Sequence, residues 1–201
     1  MKVLFFIDTH GNESMLRKIL AKSKEADLIV CLGDFTTFES DMEAILKQLN
    51  AIGKPVLLLH GNHETLEGIM HASKNLQNIH FIHRNYYITS DLIFLGYGGG
   101  GFSTRDDEFT RLAEYFVKDK ELLLKTRKFI LLTHAPPYGT RIDDMGKAFG
   151  HVGNQSITEF IVKHQPLLAI SGHIHETAGQ EDKINKTRLI NPGWDGVIIE
   201  L

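Results

Sequence analysis

The chain has 201 residues, of which 42% are hydrophobic and 23% charged, and its formal net charge is -3. That length fits one ordinary domain spanning 1–201, and the balance is that of a globular protein rather than a disordered or membrane one. Scattered charge of this size excludes the broad basic face of a dedicated nucleic-acid binder, although a nucleic-acid substrate at the site itself stays open.

The first apolar run, Val3 to Ile7, meets an acid at Asp8. It is too short for a signal-peptide core or a membrane span, so a cytoplasmic protein with no membrane partner is expected. Val3 to Ile7 reads as a buried strand, and Met15, Leu16, Ile19 and Leu20 have the spacing of one helix face. Leu28 to Leu32 is a second strand. The one cysteine, Cys31, lies within it and has the apolar neighbours of a small packing residue, with no internal disulfide partner. Met42, Ile45, Leu46 and Leu49 predict a second helix and Pro55 to Leu59 a third strand, so the first half reads as βαβ units. Leu92 to Leu95, Phe129 to Leu132 and Leu167 to Ile170 follow as strands. Glu108 to Lys125 predicts the longest helix, and Ile157, Phe160 and Ile161 mark another. Thr177 to Glu181, Thr187 to Ile190 and Val197 to Leu201 are short segments between turn residues, which predicts antiparallel strands at the end. The expected fold is α/β, a central β structure of two packed sheets flanked by helices.

Polar residues follow five of these strands. Asp8-Thr9-His10-Gly11-Asn12 comes after the first, Gly33-Asp34 after the second and Gly61-Asn62-His63-Glu64 after the third. Thr133-His134 follows Leu132, and Ser171-Gly172-His173-Ile174-His175 follows Ile170. Loops at the carboxyl ends of parallel strands converge on one crevice, so these residues are expected to meet. Carboxylate oxygen and imidazole nitrogen suit zinc, iron and manganese, and no thiolate accompanies them. Two carboxylates, four imidazoles and one amide are too many for one tetrahedral zinc and suit two ions with a bridge. In Asp8-Thr9-His10 and His173-Ile174-His175, alternate residues of an extended backbone point to the same side. The glycines at 11, 33, 61 and 172 would allow the backbone to turn tightly near the ions.

DTHGN, GD, GNHE, THAP and GHIH, in this order between Asp8 and His175, resemble the five blocks of the calcineurin-like metallophosphoesterase superfamily. The resemblance implies a four-layer αββα sandwich of two mixed sheets and a dinuclear site. By that resemblance Asp8, His10 and His175 bind one ion, Asn62, His134 and His173 bind the other, and Asp34 bridges both. The cofactors implied are two divalent cations, Mn, Fe or Zn, and the nucleophile is a hydroxide bridging them. His63 matches the family histidine that contacts the phosphate and assists the leaving group without binding metal. The stretch Gly33-Asp34-Phe35-Thr36-Thr37 lacks the Asp or Asn that many members carry three residues after the bridging acid. His60 stands where phosphoprotein phosphatases have an arginine before GNHE, so that assignment is disfavoured. The closer likeness is to small prokaryotic single-domain phosphoesterases, including ones that hydrolyse phosphodiesters. A small phosphoester, nucleotides included, is the expected substrate, a diester is favoured over a monoester, and a homo-oligomer is compatible. The competing readings are a phosphomonoesterase on the same site and a non-catalytic interaction module of the same fold.

Outside the blocks, Arg105, Arg141 and Lys147 are candidate phosphate clamps, and His151 could face the substrate from the loop after His134. A solvated surface role is the alternative for the cations, and a turn residue for His151. His60, His71, His80, His83 and His164 are expected on surfaces or loops. Gly96 to Gly101 formally satisfies GxGxxG, but no helix begins directly after it and Glu121 falls inside a helical pattern, so a dinucleotide site is not expected. That run reads instead as a flexible loop, with its backbone bordering the metal cleft as the sharper version.

Overall fold

Period-two alternation decides the layers. In β1 (Lys2–Phe6) the side chains of Val3 and Phe5 face one way and those of Leu4 and Phe6 the other, and all four are fully buried. A strand buried on both faces belongs inside a layered structure. In the computed structural model, which describes residues 1–201, β1, β2 (Leu28–Cys31), β3 (Val56–Leu58) and β4 (Ile79–Phe81) run parallel, with β11 (Val197–Glu200) antiparallel beside β1. The second sheet has the order β5 (Asn85–Ile88), β6 (Leu92–Tyr97), β7 (Lys128–Thr133), β8 (Leu168–Ile170), β10 (Thr187–Ile190), β9 (Glu181–Ile184). Its inner four strands are parallel and its two edges antiparallel.

Three cores follow from this arrangement. Val3, Phe5, Val30 and Leu57 of the first sheet meet Phe94, Ile130, Ile170 and Ile190 of the second. The outer face of the first sheet, Leu4, Phe6, Ile29 and Cys31, is covered by α1 (Glu13–Lys22), α2 (Met42–Asn50) and α3 (Leu66–Ser73). The outer face of the second, including Ile93, Leu131 and Leu189, is covered by Phe109, Ala113 and Phe116 of α4 (Asp107–Asp119) and Ile157, Phe160 and Ile161 of α6 (Gln155–His164). The result is four layers, αββα, as expected. Each fully buried large side chain contributes about 1.5–3 kcal/mol of transfer free energy, so the three cores supply the rigidity that a many-ligand site needs. No helix is long and apolar enough to cross a membrane.

The structure departs from expectation at elements with little buried surface. β4, β5 and α3 were not expected: β4 buries only Ile79, β5 nothing, and α3 only Ile69. The long helix breaks at Lys120, whose φ of -102° and ψ of 16° are not helical, and a separate turn, α5 (Glu121–Leu124), follows. The strand expected over 177–181 is instead a 3-10 turn, His175–Thr177, and pairing starts at Glu181.

Candidate metal centre

The carboxyl ends of β1, β2 and β3 in one sheet and of β7 and β8 in the other deliver all seven expected ligands to one place. Here the two sheets are tied together by the site itself. The His134 Nδ1 lies 2.9 Å from the Leu32 carbonyl, and the His173 N–H donates to Asp8 Oδ2 at 3.0 Å. Gly61 lies between two of these side chains: a Cβ there would sit 2.1 Å from Asp34 Oδ1 and 2.6 Å from the His134 ring, so no larger residue fits.

Ligand-type atoms form three overlapping groups, each with its atoms within 4.8 Å of one another: Asp8, His10 and His175; His10, Asp34 and His63; Asp34, His134 and His173. Asp34 Oδ2 lies 3.6 Å from His134 Nε2 and 4.0 Å from His10 Nε2, between the outer groups. His10 Nε2 and His175 Nε2 are 3.1 Å apart, and His134 Nε2 and Asn62 Oδ1 are 3.2 Å apart. Two donors each about 2.1 Å from one ion, at octahedral to tetrahedral angles, are separated by about 3.0–3.4 Å. Asp8 Oδ1 and His173 Nε2 are buried and have no hydrogen-bond partner. Free energy is lost by such orphaned atoms unless something else binds them, and a cation does so. The donor set therefore fits two divalent ions.

Tautomers sharpen the assignment. The Leu32 carbonyl can only accept, so His134 carries its proton on Nδ1 and keeps the Nε2 lone pair free for a metal. At His63 the Phe38 N–H donates to Nδ1 at 3.4 Å, which leaves the proton on Nε2. Distance alone groups His63 with the candidate ligands, and this hydrogen bond leaves its Nε2 as an N–H rather than a free lone pair. Phe38 also packs on the His63 ring, centroids 4.4 Å apart.

Electrostatics describe a site that resists existing without cations. Burial, and then the nearby Asp34 charge, pushes the Asp8 carboxyl up to about 8. Burial lowers His10 and His134, and it lowers His173 to about 4 with His134 as the next cause. The imidazoles are thus neutral at pH 7, the form that binds metal. The backbone is strained at the same place: Asp8, His10, Asp34 and His173 have φ of 57°, 45°, 49° and 66°, in the left-handed region that non-glycine residues avoid.

Three residues without an assigned role hold the frame. Buried Glu64 accepts from the N–H groups of Asp34, Thr36 and Gly61, at 2.9, 2.9 and 3.0 Å, and from the Thr36 hydroxyl at 2.8 Å. Asn191 donates to the Ile174 carbonyl at 3.2 Å, bracing the turn that carries His173 and His175. Asn12, in the first block, caps α1 by accepting from Ser14 and Met15 N–H. Glu64 was legible as part of GNHE, whereas Asn191 carries no motif signal.

The remaining candidates lie elsewhere. Arg105 pairs with Glu159 at 2.7 Å. Arg141 is exposed and donates its backbone N–H to Asp182, and Lys147 is exposed in the turn beyond it. None of these three lines the cleft over the ligands, which has a volume of about 250 Å3. His151 is bonded to buried Asp143 at 2.9 Å, as part of the hub that also accepts from Gly139, Thr140 and Gly153. His60 and His83 lie in loops, as expected, but are half-buried there, their rings 4.5 Å apart, and burial lowers both, His83 to about 3. The cleft wall contains Phe102, Met145 and Glu176 beside the expected residues, and no lysine or arginine. Phe102 and Met145 read as ordinary apolar residues in sequence.

Known proteins share this fold and these sequence blocks' family. A protein of Methanocaldococcus jannaschii, itself uncharacterized, is 32% identical, the match covering 96% of this chain and 88% of that protein. The crystal structure of TT1561 of Thermus thermophilus matches with a TM-score of 0.71 at 18% identity, covering 96% of this chain and 88% of that one. A dimetal phosphatase from Danio rerio matches with a TM-score of 0.69 at 12% identity, covering 94% and 86%. The family model described as calcineurin-like phosphoesterase matches residues 1–177, so the chain belongs to that family of metal-dependent phosphoester hydrolases.

Proposed function

We propose that the protein is a dinuclear phosphoesterase acting on small phosphodiesters, with Asp8, His10 and His175 holding one cation, Asn62, His134 and His173 the other, and Asp34 both. The observation that carries this reading is the position of the Asp34 carboxylate between two groups of ligand atoms. Cations bound there would activate water and neutralise phosphoryl charge. His63, with its proton on Nε2 and its ring 4.6 Å from that of His10, would donate to the departing oxygen. Phe38 holds that ring from behind.

Two features favour a diester. A monoester dianion asks for a cationic side chain beyond the metals, and the cleft has none, while Glu176 on its wall opposes extra negative charge. Phe102 and Met145 offer apolar surface for a second substituent. The test is hydrolysis of bis(p-nitrophenyl) phosphate and p-nitrophenyl phosphate by the manganese- or zinc-loaded protein. The expected result is turnover that chelator abolishes, with higher kcat/KM for the diester. Preference for the monoester would make the protein a phosphomonoesterase, and no metal-dependent turnover of either would overturn the reading. His63→Ala is expected to lose about 10²–10⁴-fold with an alkyl leaving group and far less with p-nitrophenolate, which needs little proton donation.

A further inference from the structure

The glycine-rich run after β6 serves the cleft. The Gly99 N–H donates to the His60 carbonyl at 2.9 Å, and Gly99, Gly100 and Gly101 have φ of 75°, 94° and 45°, open to glycine at little cost. Beyond them the Ser103 carbonyl accepts from Asn154 Nδ2 at 2.9 Å and the Thr104 carbonyl from the Gln155 N–H at 2.8 Å. Phe102 lies between these two anchors. Its ring meets that of His173 in a T-shaped contact, centroids 4.5 Å apart, yet the residue is 61% exposed. Met145, another apolar wall residue on a loop, is held by its N–H donating to the Gly150 carbonyl at 2.9 Å. Phe102 is thus a phenylalanine fixed at both flanks whose surface stays open to solvent where it borders the cleft.

We propose that Phe102, with Met145, forms a subsite that stacks a flat ring on the substituent retained by phosphorus, so that the substrate is a small phosphodiester carrying a nucleobase-type ring. This rests on the phosphoesterase reading above. The retained side is indicated because Phe102 packs on His173, whose ligand group is shared with His134, while His63 marks the leaving side. Stacking suits a ring of any base identity, and a thioether adds a polarizable second contact. A long nucleic acid is disfavoured, because its backbone would need a cationic track that the cleft lacks.

The test compares two diesters with the same leaving group, thymidine 5′-(p-nitrophenyl) phosphate and ethyl p-nitrophenyl phosphate, with the manganese-loaded protein. Phe102→Ala and Phe102→Leu are expected to raise KM for the thymidine ester about tenfold, the size of one stacking contact, and to change the ethyl ester less than about twofold; Phe102→Tyr keeps both. Equal losses on both esters, no loss on either, or full retention by Phe102→Leu overturns the ring subsite and leaves the phosphoesterase reading standing. If the wild type hydrolyses neither ester, the diesterase part of that reading falls. The subsite is then decided by thymidine 5′-monophosphate binding, read from fluorescence of the single tryptophan, Trp194, whose ring lies 6.3 Å from that of His175. Tenfold weaker binding by Phe102→Ala supports the subsite, and unchanged binding overturns it.

Discussion

Asp8 combines a buried carboxyl pushed up to about 8 with a left-handed backbone, φ 57°, so its chemistry opposes its own fold until a cation arrives. Asp8→Asn should therefore stabilise the metal-free protein, on the order of 1–2 kcal/mol, while weakening metal uptake; thermal melts with and without manganese check both. Glu64 predicts the opposite. Its carboxylate accepts from three N–H groups and a hydroxyl, and Glu64→Gln turns an amide donor toward them, costing about 1–3 kcal/mol and loosening Asp34, as denaturant unfolding and metal titration would report. The candidate ligands were legible as a group because Asp8, His10, Asp34, Asn62, His134, His173 and His175 sit in short blocks directly after strands. Arg105, Arg141 and His151 are exposed, as the surface and turn alternatives had it. A charge in sequence does not reveal its partner, and Glu159, Asp182 and Asp143 take up Arg105, the Arg141 backbone and His151.

Strand ends are the elements that make the site, and their separation is set by main-chain contact. Gly61→Ala would drive a methyl group into the Asp34 carboxylate. The expected outcome is a destabilisation of about 1–3 kcal/mol with loss of the second metal, whereas Gly53→Ala, at an open turn with φ 73°, should cost stability alone. Differential scanning calorimetry with metal analysis separates the two. The runs feeding the site were readable as strands because they are apolar on both faces. β4, β5 and α3 were not, since elements that bury one residue or none leave no periodicity to detect. The 3-10 turn at His175–Thr177 overrode an extended pattern because Asn191 and the Thr177 hydroxyl bind the Ile174 carbonyl there.

Across the whole molecule the site couples stability to pH and metal. Without cations the folded Asp8 holds its proton up to about 8, against an ordinary value of 3.8, so the native state binds more protons than the unfolded chain and stability falls as pH rises through that window. His10, His134 and His173 are shifted down from 6.5, so the unfolded chain binds more protons below that value and stability is lost as pH falls through it. Below 6.5 these histidines, with His60 and His83 lowered in the same direction, outweigh the raised carboxyls of Asp8 and Glu64, and above it the raised carboxyl of Asp8 sets the slope. Metal-free protein is expected to be most stable near pH 6.5 and to weaken toward pH 8, and saturating manganese should remove the alkaline loss; melts at pH 5.5, 6.5 and 8 show it. The four layers were legible because alternation in β1 and β2 requires apolar cover on both faces, whereas the cleft wall was not, because Phe102 and Met145 differ from core residues only in where the chain puts them. The most direct test is metal stoichiometry by mass spectrometry of the wild type and Asp34→Asn after loading and desalting. Two ions per chain, falling to one or none in the variant, is the predicted result; a single ion in the wild type, or two retained by Asp34→Asn, would contradict a centre shared through Asp34.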